Sequence, residues 1–170
     1  MSCSPGIQCS DILYDTEVDS WAVNTCELNE RIIGKKQITF LIEDEDGEKF
    51  GYFHNGIISD EIGVSNPLDD KTFIFNLESN GRLQTPMKFE PLILDASGLF
   101  LFEKELAGPL ISLSEIKLNK IHEKYSSFCG QEGIFDCKGI ENAYCGKAIP
   151  LYDGVGNCFV PKRIMVIQMI

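Results

Sequence analysis

No apolar run in this chain approaches the roughly 20 residues a membrane-spanning helix needs. The closing RIMVIQMI is only eight residues long and reads as a buried strand. The first residues, MSCSPGIQCS, have neither the basic start nor the apolar segment of a secretion signal, and no Asn-X-Ser/Thr acceptor occurs. A cytosolic location is the expectation. Histidine is scarce: there are two, His54 and His122, and no spacing sets either beside a cysteine as a nucleophile–base pair. Both are read as exposed. The glycines of Asp153-Gly-Val-Gly156 lack the following Gly-Lys-Ser/Thr of a phosphate loop, and no nucleotide, haem or flavin signature is present. No cofactor is expected.

Basic residues are few in the first part of the chain. Residues 1–70 hold 15 Asp/Glu against 4 Lys/Arg, whereas residues 71–170 hold 11 of each, so the net charge of −11 belongs wholly to the first part. Affinity for phosphate backbones comes from Lys and Arg, so no nucleic-acid partner is expected. The excess suits a solvated face or a basic protein partner. Paired Cys-X-X-Cys motifs are also missing. The seven cysteines, at 3, 9, 26, 129, 137, 145 and 158, are odd in number, which favours reduced thiols. Cys129, Cys137 and Cys145 recur every eight residues, not at zinc-ligand spacing, so no metal is assigned. They pack as small apolar residues or, in a second reading, serve with Cys158 as redox thiols.

What is present is strand pattern. In residues 38–44, Ile38, Phe40 and Ile42 alternate with Thr39, Leu41 and Glu43, the period of a strand with one face in a core. Asp46-Gly47 then signals a tight primed hairpin turn, and the return strand carries Phe50, Gly51, Tyr52 and Phe53. A strand glycine suggests a bulge or a close backbone approach, so Gly51 is expected against a neighbouring backbone or ring. The acidic tip fails as a calcium loop: with Gly47 at position six, positions one and twelve fall on Ile42 and Phe53, neither a carboxylate.

Along the chain, residues 1–10 read as a loose leader and residues 11–170 as one domain. Residues 11–15 form a short strand. Asp19-Ser20 caps a helix whose face is Trp21, Thr25, Leu28 and Ile32, stopped by Gly34. Residues 55–70 are a polar surface loop. Residues 72–77 are a strand, Ser79-Asn80-Gly81 is a second hairpin turn, and the returning 82–90 segment is an edge or is broken at Pro86. Further short strands fall at 99–103, 110–113 and 116–118, with helix or loop at 120–127. The last strand, from 161, has apolar residues in both alternations and is expected to be central and covered on both sides. The fold class is mainly β (α+β): a sandwich of two antiparallel sheets with a few short peripheral helices.

The order of these pieces resembles the TLDc domain family. Residues 13–25, LYDTEVDSWAVNT, are similar to its opening strand and D-G-x-S-x-x-T helix start, matching at Leu13, Tyr14, Asp19, Asn24 and Thr25, with Ser20 and Trp21 altered. The hairpin at 38–53 is similar to LLVIKDxDGxxFGAF through Asp44, Asp46, Gly47, Phe50, Gly51 and Phe53. Residues 72–77 resemble the family's xFLFxL strand, 98–106 its GLYLDEDL strand (beginning at Gly98), and 163–169 its terminal strand. The family's Gly-rich stretch is reduced here to Ser97-Gly98, and its C-x-T-F-x-N element is only loosely present in 128–146. The resemblance implies a stand-alone oxidation-resistance-type module, monomeric and without an accepted catalytic mechanism. It implies a protein partner, with subunits of the vacuolar proton pump as candidates. Asp19, Trp21, Asp46, Gly47, Phe50, Gly51, Phe53 and Gly98 are its structural residues.

Overall fold

The computed structural model describes residues 11–140, 143–144 and 156–169. The expected leader at 1–10 and Cys145 lie outside the described residues. The chain is mainly β. Its strands are β1 (Asp11–Asp15), β2 (Ile38–Asp44), β3 (Lys49–His54), β4 (Ser65–Pro67), β5 (Phe73–Glu78), β6 (Met87–Phe89), β7 (Ser97–Leu101), β8 (Pro109–Leu113), β9 (Ile116–Asn119), β10 (Phe128–Gly130), β11 (Gly156–Cys158) and β12 (Pro161–Gln168). Among the described residues they form two six-stranded antiparallel sheets, in the orders β1-β12-β2-β3-β5-β6 and β11-β10-β9-β8-β7-β4. The helices among the described residues are one α-helix, α1 (Leu28–Ile32), and a 3₁₀ segment, Ile121–Ser126.

The two sheets share one core. From the first come Ile38, Phe40, Ile42, Phe50, Tyr52, Ile74, Phe89, Ile164 and Val166. The second supplies Leu99, Leu101, Ile111, Leu113, Ile116, Leu118 and Cys129, all buried. The β2–β3 hairpin supplies five of these residues, as its alternation predicts. Its turn is not the primed type expected. Gly47 alone is left-handed (φ +84°), its N–H donates to the Asp44 carbonyl at 3.1 Å, and Asp44 N–H donates to the Glu48 carbonyl at 3.0 Å. This is a three-residue loop with the glycine in the bulge position. The Asp44 carboxylate, buried, fixes it by accepting from Asp46 N–H at 3.0 Å and Glu48 N–H at 2.9 Å. At the second turn, Asn80 (φ +52°) and Gly81 (φ +81°) do adopt the primed pair, closed by Arg82 N–H to the Ser79 carbonyl at 3.1 Å.

Four further expectations are corrected. The helix expected from Trp21 begins only at Leu28. Asn24 is left-handed (φ +69°), and the Ser20 and Thr25 hydroxyls bond each other at 2.6 Å, so local side-chain bonds displace helix there. Asp19 therefore caps no helix; its carboxylate accepts from Asp15 N–H at 2.9 Å and pairs with Arg31 at 3.1 Å. The loop expected at 55–70 contains β4, which pairs with β7, and buries Ile58 and Leu68. His54 is not exposed: it takes the inward alternation after Phe50 and Tyr52 and is 1% exposed. Finally, β12 is central between β1 and β2, but its buried residues, Pro161, Ile164 and Val166, do not include Met165 and Ile167, which lie half-buried on the far side.

Candidate functional site: the outer face of the first sheet

The last correction defines the site. Residues paired across antiparallel strands share a face. One outward row runs Ile12–Ile167–Thr39–Phe53–Phe73, and the next runs Asp15–Met165–Leu41–Gly51–Phe75–Lys88. A third is charged and alternates in sign: Arg163–Glu43–Lys49–Glu78. The solvent side of this sheet is thus an apolar strip bordered by ions.

The aromatic part is built on a glycine. A Cβ on Gly51 would sit 1.9 Å from the Phe40 carbonyl oxygen and 2.6 Å from Phe75 Cζ. The missing side chain lets the Phe75 ring lie against the strand, as expected for Gly51. Phe73 stacks on Phe53 at 5.0 Å between centroids and meets Phe75 edge-on at 6.1 Å, while the Lys88 ammonium lies 4.4 Å from the Phe73 centroid. Beside them Leu41 and Met165 floor a groove of about 350 Å³ walled by Glu43, Lys49 and Arg163.

The border ions are paired. Arg163 grips both oxygens of Asp15, at 3.1 Å from Nε and 2.7 Å from Nη2, and reaches Glu17 at 3.4 Å. These bonds hold the Asp15 carboxyl below its usual range despite some desolvation. Lys49 meets Glu78 at 3.2 Å, and Lys162 meets Glu43 at 3.7 Å.

The other sequence-singled residues are dispersed. Trp21 and Phe50 are core side chains, Phe50 meeting Phe159 edge-on at 5.0 Å. Asp46 and Gly47 form the hairpin tip, and the Asp46 carbonyl accepts from Asn80 Nδ2 at 3.0 Å. Gly98 lets β4 approach β7: a Cβ there would lie 2.4 Å from the Asn66 carbonyl oxygen and 3.1 Å from the Tyr52 hydroxyl. Cys129 is buried in the core. Cys137 is half-buried, and its thiol donates to the Tyr144 hydroxyl at 3.3 Å. That hydroxyl in turn donates a short bond to Glu115. Burial pushes the Cys137 thiol above its ordinary pKa, which holds it in the thiol form.

Two buried polar centres were not anticipated. Glu115, 1% exposed, accepts from Glu132 N–H at 3.0 Å and Ile134 N–H at 2.9 Å as well as from Tyr144; burial raises its pKa against the pull of these bonds. The Lys120 ammonium, also buried, donates to the carbonyls of Glu103 at 3.2 Å, Pro109 at 2.9 Å and Leu106. No local pattern marks either residue. Among the described residues no three metal-ligating side chains converge, and no helix is long and apolar enough to cross a membrane. The chain matches no protein-family model and no curated protein sequence.

Proposed function

We propose that this chain is a non-enzymatic, TLDc-like protein-interaction module that receives a segment of a partner on the outer face of its first sheet. The observation that carries the reading is the strip Ile12, Ile167, Met165, Leu41, Phe53, Phe73 and Phe75, set where an antiparallel sheet facing water ordinarily presents polar residues. Five strands at about 4.8 Å spacing, each contributing a span of some three residues of about 3.3 Å, make a strip of roughly 240 Å². A stable dimer buries about 800 Å² per partner, so the strip suits one helix or strand of another protein better than a second copy. A monomer follows. The acidic first part of the chain favours a basic segment.

The resemblance over residues 13–169 supplies the setting: a cytosolic role in oxidative-stress response, with subunits of the vacuolar proton pump as the partner. The contact of Cys137 with Tyr144 is what favours the alternative, a thiol-based redox protein, but its raised pKa weighs against a reactive thiolate. The test is binding of the purified protein to purified pump subunits, read by biolayer interferometry for the native chain and for Phe73→Lys with Ile167→Lys. Saturable binding that weakens at least tenfold in a variant of unchanged Tm is expected. No saturable binding to any subunit removes the pump as partner, and binding indifferent to the variant removes the face.

A further inference from the structure

Edge strand β6 leads into residues 90–96, where Leu92, Ile93 and Leu94 follow one another at 64%, 52% and 53% exposure. A single exposed aliphatic residue is ordinary; three in succession are a solubility cost unless something covers them. The backbone that carries them is fastened at both ends. Asp136 N–H donates to the Glu90 carbonyl at 2.8 Å, Leu92 N–H to the Ile134 carbonyl at 2.7 Å, and Asp95 N–H to the Leu68 carbonyl at 3.2 Å. The tripeptide is therefore held in one shape before it meets anything, which spares a complex the entropy of ordering it.

Its surroundings select the occupant. Exposed Glu90 and Asp95 flank the three residues, Lys88 is engaged with Glu90 at 3.6 Å, and the chain carries a net charge of −11. An anionic bilayer repels such a protein, and three aliphatic residues without a basic cluster lack the second attraction that stable membrane binding requires. A second copy would bring the same acidic flanks against these. We propose that Leu92–Leu94 is a preformed plug for a partner protein offering an apolar cleft rimmed by Lys or Arg. This docking element is not part of the sheet strip, although Lys88 touches both Phe73 and Glu90, and the proposal stands without the strip.

The test places the photoreactive residue p-benzoylphenylalanine at position 93 of the full chain in the cells that express it. The same residue at position 18, where Val18 is 83% exposed and alone, is the control. One discrete protein adduct at 93 and none at 18 is expected. Its yield should fall at least tenfold in Glu90→Lys with Asp95→Lys, and likewise in an extract raised to high salt, because the rim charges steer the encounter. Ile93→Ser with Leu94→Ser should leave Tm unchanged while abolishing competition for the adduct. Equal labelling at 18 and 93, an adduct indifferent to charge and salt, or an adduct with a second copy would overturn the proposal. So would co-sedimentation of the purified protein with vesicles of phosphatidylcholine, alone or with phosphatidylserine.

Discussion

His54 makes the stability of the sandwich fall as the solution is acidified. Its ring is 1% exposed, its Nδ1 shares a hydrogen bond of 2.9 Å with the Tyr52 hydroxyl, and Tyr52 is itself buried. Burial is the main cause that lowers its pKa from 6.5 to about 4, opposed by the field of Asp69. In the unfolded chain the ring protonates near 6.5, so below that pH the unfolded state binds the extra proton and gains. At pH 4.5 the difference between the two pKa values amounts to about 2.5 kcal/mol of lost stability relative to pH 7.5, approaching about 3.4 kcal/mol once pH falls well below 4. The lowered carboxyls of Asp15 and Asp69 add losses at lower pH, and raised Glu115 opposes them, so the His54 share must be isolated by comparison. Urea unfolding followed by fluorescence of the single tryptophan, Trp21, measures it. With a slope of about 2 kcal/mol per molar, the native midpoint should drop by more than about 1 M between pH 7.5 and 4.5. His54→Phe should lose that slope even though removing the partner of Tyr52 lowers its stability at pH 7.5. Parallel pH profiles for the two proteins, or a His54 resonance titrating near 6.5 in the folded state, would refute the reasoning.

Two further outcomes follow from the geometry. Gly51→Val places its first carbon 1.9 Å from a backbone oxygen of the neighbouring central strand. Overpacking in a core ordinarily costs about 1–3 kcal/mol, and a backbone that cannot yield without opening the β2–β3 ladder puts this change above that range. An insoluble or unfolded variant by circular dichroism is expected, and a soluble one with native Tm contradicts it. Glu115→Ala leaves the N–H groups of Glu132 and Ile134 and the Tyr144 hydroxyl without their acceptor. At about 1–3 kcal/mol for each orphaned group, a loss of at least 3 kcal/mol in urea titration is expected, with Glu115→Gln losing clearly less. A loss below 1 kcal/mol for the alanine variant would show the carboxylate to be dispensable.

Much of the scaffold was legible because its signals are local. Alternation located β2, β3, β5 and β12; Asp-Gly and Asn-Gly located two turns; Gly34 stopped α1 with φ +78° as expected. Where tertiary contacts decide, the pattern ran out. Residues 21–27 have helical spacing, yet Asn24 N–H donates to the Lys104 carbonyl at 2.9 Å and leaves the helix unformed there. β4 is three residues, Ser-Asn-Pro, held by pairing with β7 rather than by propensity. The outer strip illustrates the harder limit: a strand covered on both sides and a strand with an uncovered apolar face read alike, because alternation records residue type and not what stands opposite. His54 was legible in principle, since its place two residues after Tyr52 on an inward-facing row already set its side.

The insertion of β12 between β1 and β2 has a consequence for synthesis. β1 finds its sheet neighbour in a strand whose partner residues, such as Gln168 for Asp11, leave the ribosome more than 150 residues later. Until then β1 has no ladder and the β2 edge stands open beside it. The nascent chain therefore carries two unsatisfied strand edges until β12 has been made, and the first sheet can close only as a long-range event of the slow kind that invites chaperones.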